Sequence, residues 1–527
     1  IGASIVIKNV AGKGTATGLD GSFQLTLQRF PCTLVCSYLG YKTKEVVVNH
    51  NDDNLNIDLE ADAVALGEVE IVAENTGCSE IGARVMERNA MNVINIMSAK
   101  AIELSPDLTV ANVIQRMSGV TMERNSAGEG QYAILRGMDK RYNYTLVNGL
   151  KIPSPDNKNR FVPLDIFSSE MLDSLEVTKS LTADQEGDGI GGAVNLIMKD
   201  TPTERQLTAT LSTGYNAMYL DRDFQSFNKG AIVKQSPYEA MGKPADYKVT
   251  EADFTSDNLH MKWSKPLPDL TAGLSYGDRF FRDRLGVMVA GSFLNTYRGK
   301  ESDLYYQPGT TNNGIEQRNY STQQTRMGAH VKLDYSLNPQ HKLTWYNGYM
   351  DMREAEVRDG EDEKERTVRM RWNRQYIVNS TLKGEHLFLP DNALKLNWSA
   401  VLSKAFSETP DNAEIYLIGT HVASSGAAIR RWEHNSDKDK AGYLDLQYTL
   451  KPTVGRFDLS VGGLFRDKRR DSFFNEYTFN SATGTMQPQY LHQDWKNFDE
   501  IQLTPRPYGN IGDPLNYDAT EQIGAAY

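Results

Sequence analysis

From about residue 205 onward, apolar and polar positions alternate one for one. Met327, Ala329, Val331, Leu333, Tyr335 and Leu337 interleave with Arg326, Gly328, His330, Lys332, Asp334 and Ser336. Leu394, Leu396, Trp398, Ala400 and Leu402 do the same against Lys395, Asn397, Ser399 and Val401, and Phe457, Leu459, Val461 and Phe465 against Asp458, Ser460 and Gly462. A period of two is that of a strand with one apolar face. The runs predict strands of about 12 to 20 residues, well beyond the 5 or 6 usual in soluble sheets. Short polar turns are expected near Arg282-Asp283, at Asn338-Pro339-Gln340, at Pro390-Asp391-Asn392 and near Pro452-Thr453. Longer polar connections are expected at about 220–258, 300–323, 354–366, 408–430 and 476–516. Short turns alternating with long loops are the asymmetry of a transmembrane antiparallel barrel. About ten such strands fit within the chain on this reading.

The first part of the chain has a different texture. Residues 1 to about 62 hold short β-prone runs, "ASIVIKN", "SFQLTL", "TLVCSYLGY", "KEVVVN" and "LNIDLE", separated by turn signals such as Leu19-Asp20-Gly21. Residues 63–80 follow as a polar linker around one β-prone stretch. Residues 81–204 mix helix and strand. A helix is predicted from Ser105 or Asp107 to about Met117, with Val110, Val113, Ile114 and Met117 on one face. The runs "QYAILRGM", "YTLVNGLKI", "LDSLEVTKS" and "AVNLIMK" read as strands of a compact α+β domain.

Composition narrows the classes. A net charge of -11 argues against nucleic-acid binding, which needs a basic patch. The mean hydropathy is -0.51 and no run of about 18 apolar residues occurs, so no transmembrane helix is expected; a membrane barrel needs no such run. Cys32, Cys36 and Cys78 form neither a disulfide framework nor a zinc pattern. Cys32 and Cys36 lie in one predicted strand, roughly 13 Å apart at strand rise, too far to bridge.

Several stretches imitate catalytic motifs. "GLSYG" at 273–277 spells a nucleophile elbow, but Ser275 lies within a predicted strand and no helix follows. The eight histidines are scattered singly. Asp184, Glu186, Asp188 and Gly189 begin like a calcium loop, yet the twelfth position is Asn195, which supplies no bidentate carboxylate. "EGDGIGGAVNLI" contains G-x-G-x-x-G at Gly187, Gly189 and Gly192, but the β-prone run after it leaves no room for a helix and no acid stands about 20 residues on. The sequence therefore predicts no catalytic residue, no resident metal and no cofactor. Gly187, Gly189, Gly191 and Gly192 are expected to serve positive φ and close backbone approach, with Arg136 and Gly137 of "LRGM" as further structural positions. Arg136 is expected to pair with the barrel wall.

Two resemblances tie these segments together. Residues 1–62 resemble the carboxypeptidase-regulatory-like β-sandwich, with its usual first strand missing. "ANVIQRMSGVTMERN", "QYAILRGMDKRYNYTLVNGLKIPSPD" and "LDIFSSEMLDSLEVTKSLTADQEGDGIGGAVNLIMKDTP" resemble, in order and spacing, the plug of TonB-dependent outer-membrane transporters of the extended Bacteroidota type. The resemblance implies a mainly β protein: a sandwich, an α+β plug at 81–204, and at 205–527 the first part of a 22-stranded plugged barrel, truncated here. It makes Leu66, Gly67, Glu68, Val69, Glu70, Ile71, Val72 and Ala73 a TonB box that pairs as a strand with periplasmic TonB, energised by the inner-membrane proton gradient. It places Asp139, Lys140, Arg141, Tyr142 and Tyr144, and Asp156, Lys158 and Arg160, on plug loops that meet the substrate. Cations and phenols there suit an anionic chelate such as a siderophore, or a glycan. The implied partners are TonB, a small-molecule, chelate or oligosaccharide substrate and outer-membrane lipid, with a surface lipoprotein admitted as a further one. The implied activity is active import across the outer membrane of a Gram-negative bacterium, with the sandwich and plug on the periplasmic side or in the barrel lumen. The rival is a surface receptor or adhesion barrel without transport.

Overall fold

The computed structural model describes every residue except 1–2, 9–13, 19–20, 28–29, 39–40, 42, 51–54, 60–78, 126–127, 157–159, 245–246, 306–314, 363–364, 419–420, 423–425, 453–454, 482–502 and 507–515. The chain divides into two compact units, Ile1–Glu74 and Asn75–Tyr527.

In the first unit, β1 (Ser4–Ile7), β2 (Gly14–Ala16), β3 (Cys32–Ser37) and β4 (Lys44–Val48) form an antiparallel sheet in the order β2-β1-β3-β4. Ile5, Leu34, Cys36 and Val48 make its core. The runs 22–27 and 55–59, expected as strands, carry no ladder pairing among the described residues. Their alternation still acts: Phe23, Leu25 and Leu27, and Leu55, Ile57 and Leu59, pack on that core. Cys32 and Cys36 are both unbridged on β3; Cys78 lies outside the described residues.

The second unit opens with α1 (Glu80–Asn89), capped by the Ser79 hydroxyl on the Gly82 N–H, followed by β5 (Ile94–Met97) and α2 (Ala99–Glu103). The helix expected at 105–117 is much shorter, α3 (Val110–Ile114). Thr109 precedes it in extended backbone and bridges Ser168, which holds residues 105–109 out of the helix. Val110, Val113 and Ile114 are buried as the periodicity required. A hairpin of β6 (Val120–Arg124) and β7 (Gly130–Leu135) leads to β8 (Asn143–Val147), β9 (Leu150–Lys151), β10 (Leu172–Thr178) and β11 (Gly192–Met198). These last strands with β5 make a mixed sheet in the order β5-β10-β11-β8-β9, with β8 and β11 parallel.

A twelve-stranded sheet follows. Its long members are β12 (Gln206–Gly214), β15 (Asp269–Phe280), β16 (Leu285–Tyr305), β17 (Ile315–Asn338), β18 (His341–Glu361), β19 (Glu365–Phe388), β20 (Leu394–Ile418), β22 (Ala428–Leu450), β23 (Phe457–Ser481) and β25 (Tyr517–Ala526). Each pairs antiparallel with the next, which gives the ten strands expected; β21 (His421–Val422) and β24 (Leu503–Pro505) are short additions. The short turns fall where the sequence put them, between β15 and β16, β17 and β18, β19 and β20, and β22 and β23.

The faces of this sheet are inverted relative to a soluble protein. On β17 the polar set is buried, Arg326 at 2%, His330 at 1% and Asp334 at 1% exposure. On the other face Leu402 is 60% exposed, Leu459 59% and Phe465 58%. Burying ions while exposing leucines is unfavourable against water and favourable against hydrocarbon, so the outer face is the lipid-facing one of a barrel wall. The inner face packs on the α+β domain: Tyr346, Met350, Met352, Ile377 and Ala405 of the wall join one core with Val110, Ile114, Leu164, Phe167, Leu175 and Leu196.

The long connections differ from expectation. Most of 300–305, 315–323, 354–361, 408–418, 428–430 and 476–481 is strand, so β20 and β23 reach 25 residues each. On β18–β23 alternation was hidden because both faces are covered. The inner face carries ion pairs, Arg369 with Glu356 at 2.6 Å and Arg371 with Glu354 at 2.7 Å. The outer face is covered by the segment joining β12 to β15, which contains β13 (Phe224–Phe227) and β14 (Met261–Ser264). Its Phe227, Val249, Leu259 and Met261 pack on Val357, Val368, Met370, Trp432, Tyr477 and Phe479. Leu446, near the middle of the exposed apolar stretch of β22, tests the inversion. Leu446→Arg should cost about 2–4 kcal/mol of stability in lipid vesicles by denaturant titration, whereas Gln447→Arg on the inner face should cost far less.

Candidate functional site

The α+β domain meets the wall through charge. Arg326 of β17 donates through Nε to the Asp165 carbonyl at 2.6 Å and through a terminal nitrogen to Glu129 Oε2 at 3.0 Å. Arg298 of β16 pairs with the same Glu129 at 3.3 Å. Farther along, Lys332 pairs with Asp200 at 2.7 Å, and the Thr201 hydroxyl donates to Asp334, itself paired with Arg279 at 3.3 Å. On β23, Arg466 pairs with Glu186 at 2.6 Å, and Lys151 joins the same carboxylate at 3.2 Å. Each is an ion of the inner face that takes a partner from the inserted domain, alone or together with a partner on the wall such as Arg279 for Asp334.

Asp165 is the exception within this set. It is fully buried, both carboxylate oxygens lack a hydrogen-bond partner among the described residues, and the nearest Arg326 nitrogen stands 3.9 Å away. Burial pushes its carboxyl up to about 7; Arg326 pulls it down, while Glu129 and Glu354 push it further up.

The loops expected to meet substrate separate into two groups. Lys140 and Asp156 come together around Tyr132. The Tyr132 hydroxyl donates to Asp156 Oδ2 at 2.6 Å, and Lys140 Nζ lies 4.6 Å from the Tyr132 ring centre, 5.5 Å from that of Phe161, and 2.6 Å from Glu123 Oε1. Burial, with Asp156 beside it, pushes the Tyr132 phenol far up. Tyr132, Phe161 and Glu123 were not singled out in the sequence; Tyr132 sits within a β-run where an aromatic reads as core. Asp139 caps the turn 140–142 and pairs with Arg141 at 3.1 Å, which holds its carboxyl below the usual range, first through the Arg141 N–H. Arg141 and Tyr142 remain exposed. Arg160 is exposed and pairs with Glu521 of β25 at 3.1 Å, beside a cavity of about 370 Å³. Tyr144 does not reach a loop surface: on β8 it packs with Leu146 and Ala193, Lys151 lies over its ring, and burial pushes its phenol up. Lys158 and the whole of 66–73 lie outside the described residues.

The glycine stretch has a specific steric reason. Gly192 sits at φ +138°, and a Cβ there would stand 2.4 Å from the Thr178 carbonyl oxygen. At Gly189 it would meet the Tyr144 ring at 2.2 Å, and at Gly191 the Asn143 amide oxygen at 2.2 Å. Gly187 has open space around it and no positive φ, so neither reason holds there. Gly137 takes φ +75° after Arg136 at +54°. Arg136 makes no ion pair with the wall among the described residues; it donates to the carbonyls of Ile190 and Gly191 at 3.3 and 3.2 Å, bracing the glycine turn. Ser275 lies within β15, as its alternation required.

A wall apolar outside and ionic inside, packed on an α+β domain, is the arrangement of part of a plugged β-barrel. Residues 87–193 match the TonB-dependent Receptor Plug Domain and residues 1–71 the CarboxypepD_reg-like domain. The chain thus carries a TonB-dependent receptor plug domain and, before it, an N-terminal CarboxypepD_reg-like domain. No curated protein sequence matches it. Among solved structures it is similar to the ferric citrate transporter FecA in the unliganded form (13% identity, 76% of this chain and 62% of that one, TM-score 0.41). It is similar also to the ferric yersiniabactin uptake receptor FyuA from Yersinia pestis (11% identity, 82% and 60%, TM-score 0.40). The chain thus spans less than two thirds of the length of these two. Similarities of this size carry over no substrate.

Asp165 yields a pH prediction. An unfolded aspartate titrates near 3.9 and the folded one at about 7, so between these values the folded state holds a proton the unfolded state has released. That contribution is complete below about pH 4 and lost as pH rises through 7. Thermal unfolding should therefore show lower stability at pH 8 than at pH 5, and Asp165→Asn should flatten this difference while the protein remains folded.

Proposed function

We propose that the protein imports a small polar nutrient across the outer membrane, driven by TonB through the segment 66–73. The observation that carries this reading is the charged inner face of the wall answered by an inserted plug: a pore that is blocked at rest needs a movable plug and a source of work. Ion pairs such as Arg326–Glu129 and Arg466–Glu186 can exchange protein partners for water as the plug is remodelled. No residue is assigned covalent chemistry on the substrate. The substrate class is an anionic chelate or a glycan, met first by Arg141 and Tyr142, the exposed cation and ring beside the Tyr132–Asp156–Lys140 cluster. The stretch Glu68–Val72 would add a strand to TonB, main-chain hydrogen bonds providing grip and side chains specificity.

The test is made in the whole receptor in cells. Deleting 67–73 is expected to abolish uptake of the transported nutrient while leaving surface binding unchanged. Growth on that nutrient surviving the deletion would overturn the reading in favour of a binding or adhesion barrel. Within the same assay, Arg141→Ala with Tyr142→Ala is expected to weaken binding about tenfold, as loss of one charge contact and one stacking surface implies.

A further inference from the structure

Asp165 is the one buried acid among the described residues of the plug. It is the middle residue of one turn of 3-10 helix, Leu164–Ile166, and its two neighbours there are buried as well. A turn enclosed in this way gives the carboxyl no route to water while the plug is seated. Around it stand Tyr132 on β7, Glu129 between β6 and β7, Arg326 on β17 and Glu354 on β18. The helix α3 also packs on the turn and brings no titratable side chain.

The donors near this carboxyl are committed elsewhere. Arg326 spends Nε on the Asp165 carbonyl at 2.6 Å, and shares a terminal nitrogen between Glu129 at 3.0 Å and Gln324 Oε1 at 3.2 Å. Gln324 Nε2 donates to Glu354 at 3.0 Å, and the Tyr132 hydroxyl donates to Asp156 at 2.6 Å. Glu129 and Glu354 are themselves paired, with Arg298 at 3.3 Å and Arg371 at 2.7 Å. An ionised Asp165 would bring a further negative charge into this buried contact, with its nearest guanidinium nitrogen 3.9 Å away. The neutral acid brings no charge, so seating of the plug favours the protonated form.

We propose that Asp165 is a proton-held latch of the plug. Protonated, it keeps the turn 164–166 seated against β17 and β18. Withdrawal of the plug lets water reach the carboxyl, whose O–H bond then breaks, the electron pair staying on oxygen and the proton passing to water. The latch rests on the reading that the plug is remodelled during import, and adds a control by pH. The seated acid titrates at about 7 and a hydrated aspartate near 3.9, so the extra hold is complete below about pH 4 and lost as pH rises through 7. From pH 5 to pH 8 the equilibrium between seated and withdrawn plug thus shifts by up to about 100-fold towards withdrawal.

The test pulls the whole receptor, held in lipid bilayers, by its N-terminal end at constant force and reads the rate of the plug's extension step. Wild type is expected to release its plug about tenfold faster at pH 8 than at pH 5, the rate taking a share of the equilibrium shift. Asp165→Asn keeps the shape and cannot ionise, so it should release at the slow rate at both pH values. Equal wild-type rates at pH 5 and pH 8 would overturn the latch, and so would an Asp165→Asn variant that accelerates as wild type does. A second measurement needs no variant: difference infrared spectra of wild type should show a carboxylic-acid carbonyl band at pH 6 that is lost by pH 8, and its absence would overturn the latch too. No TonB takes part in either experiment, which keeps them apart from the import reading. Plug release that follows Asp165, together with uptake that survives deletion of 67–73, would overturn import and leave the latch standing.

Discussion

Ions on the inner face of the wall must be answered by something other than hydrocarbon, and the plug answers them. Arg326, Arg466, Lys332 and Asp334 are each held by plug atoms or by pairs that plug atoms complete. The inner face of the wall and the inserted domain thus meet through charges of opposite sign. The apolar contacts around Met350, Met352 and Ile377 supply burial, and the ionic contacts set position and register.

The same division governs the outer face. Lipid accepts the exposed leucines over about nine residues of each strand, and beyond that height the strands must meet water or protein. On β18–β23 they meet protein, since the segment between β12 and β15 lies across Val357, Met370, Trp432 and Tyr477. Two zones of one face thus follow from two different surroundings.

Local backbone demands concentrate where the plug turns between β10 and β11. Gly189, Gly191 and Gly192 leave no space for a Cβ, and Arg136 is spent on the carbonyls that this tight turn exposes. A pattern that spells a nucleotide-binding motif is here a steric solution: the chain passes the Tyr144 ring and the Thr178 carbonyl at van der Waals distance.

Period-two alternation alone determined the wall, its ten long strands and its short turns, because side-chain direction in a strand depends only on parity. Alternation also located the paired strands of the α+β domain, and glycine spacing located its tight turn. The extension of β18–β23 was not legible, since covering both faces removes the apolar–polar contrast that alternation requires. The length of α3 depended on the Thr109–Ser168 bridge, a contact across 59 positions that no local pattern encodes. The candidate site was legible by loop and not by partner. Lys140 and Asp156 were visible as charges, but Tyr132 joins them only in three dimensions, and Tyr144 leaves the loop surface because β8 turns its side chain toward Ala193. Sequence determined which residues are charged and which face they share; tertiary structure decided which charges meet, because pairing depends on distances between strands far apart along the chain.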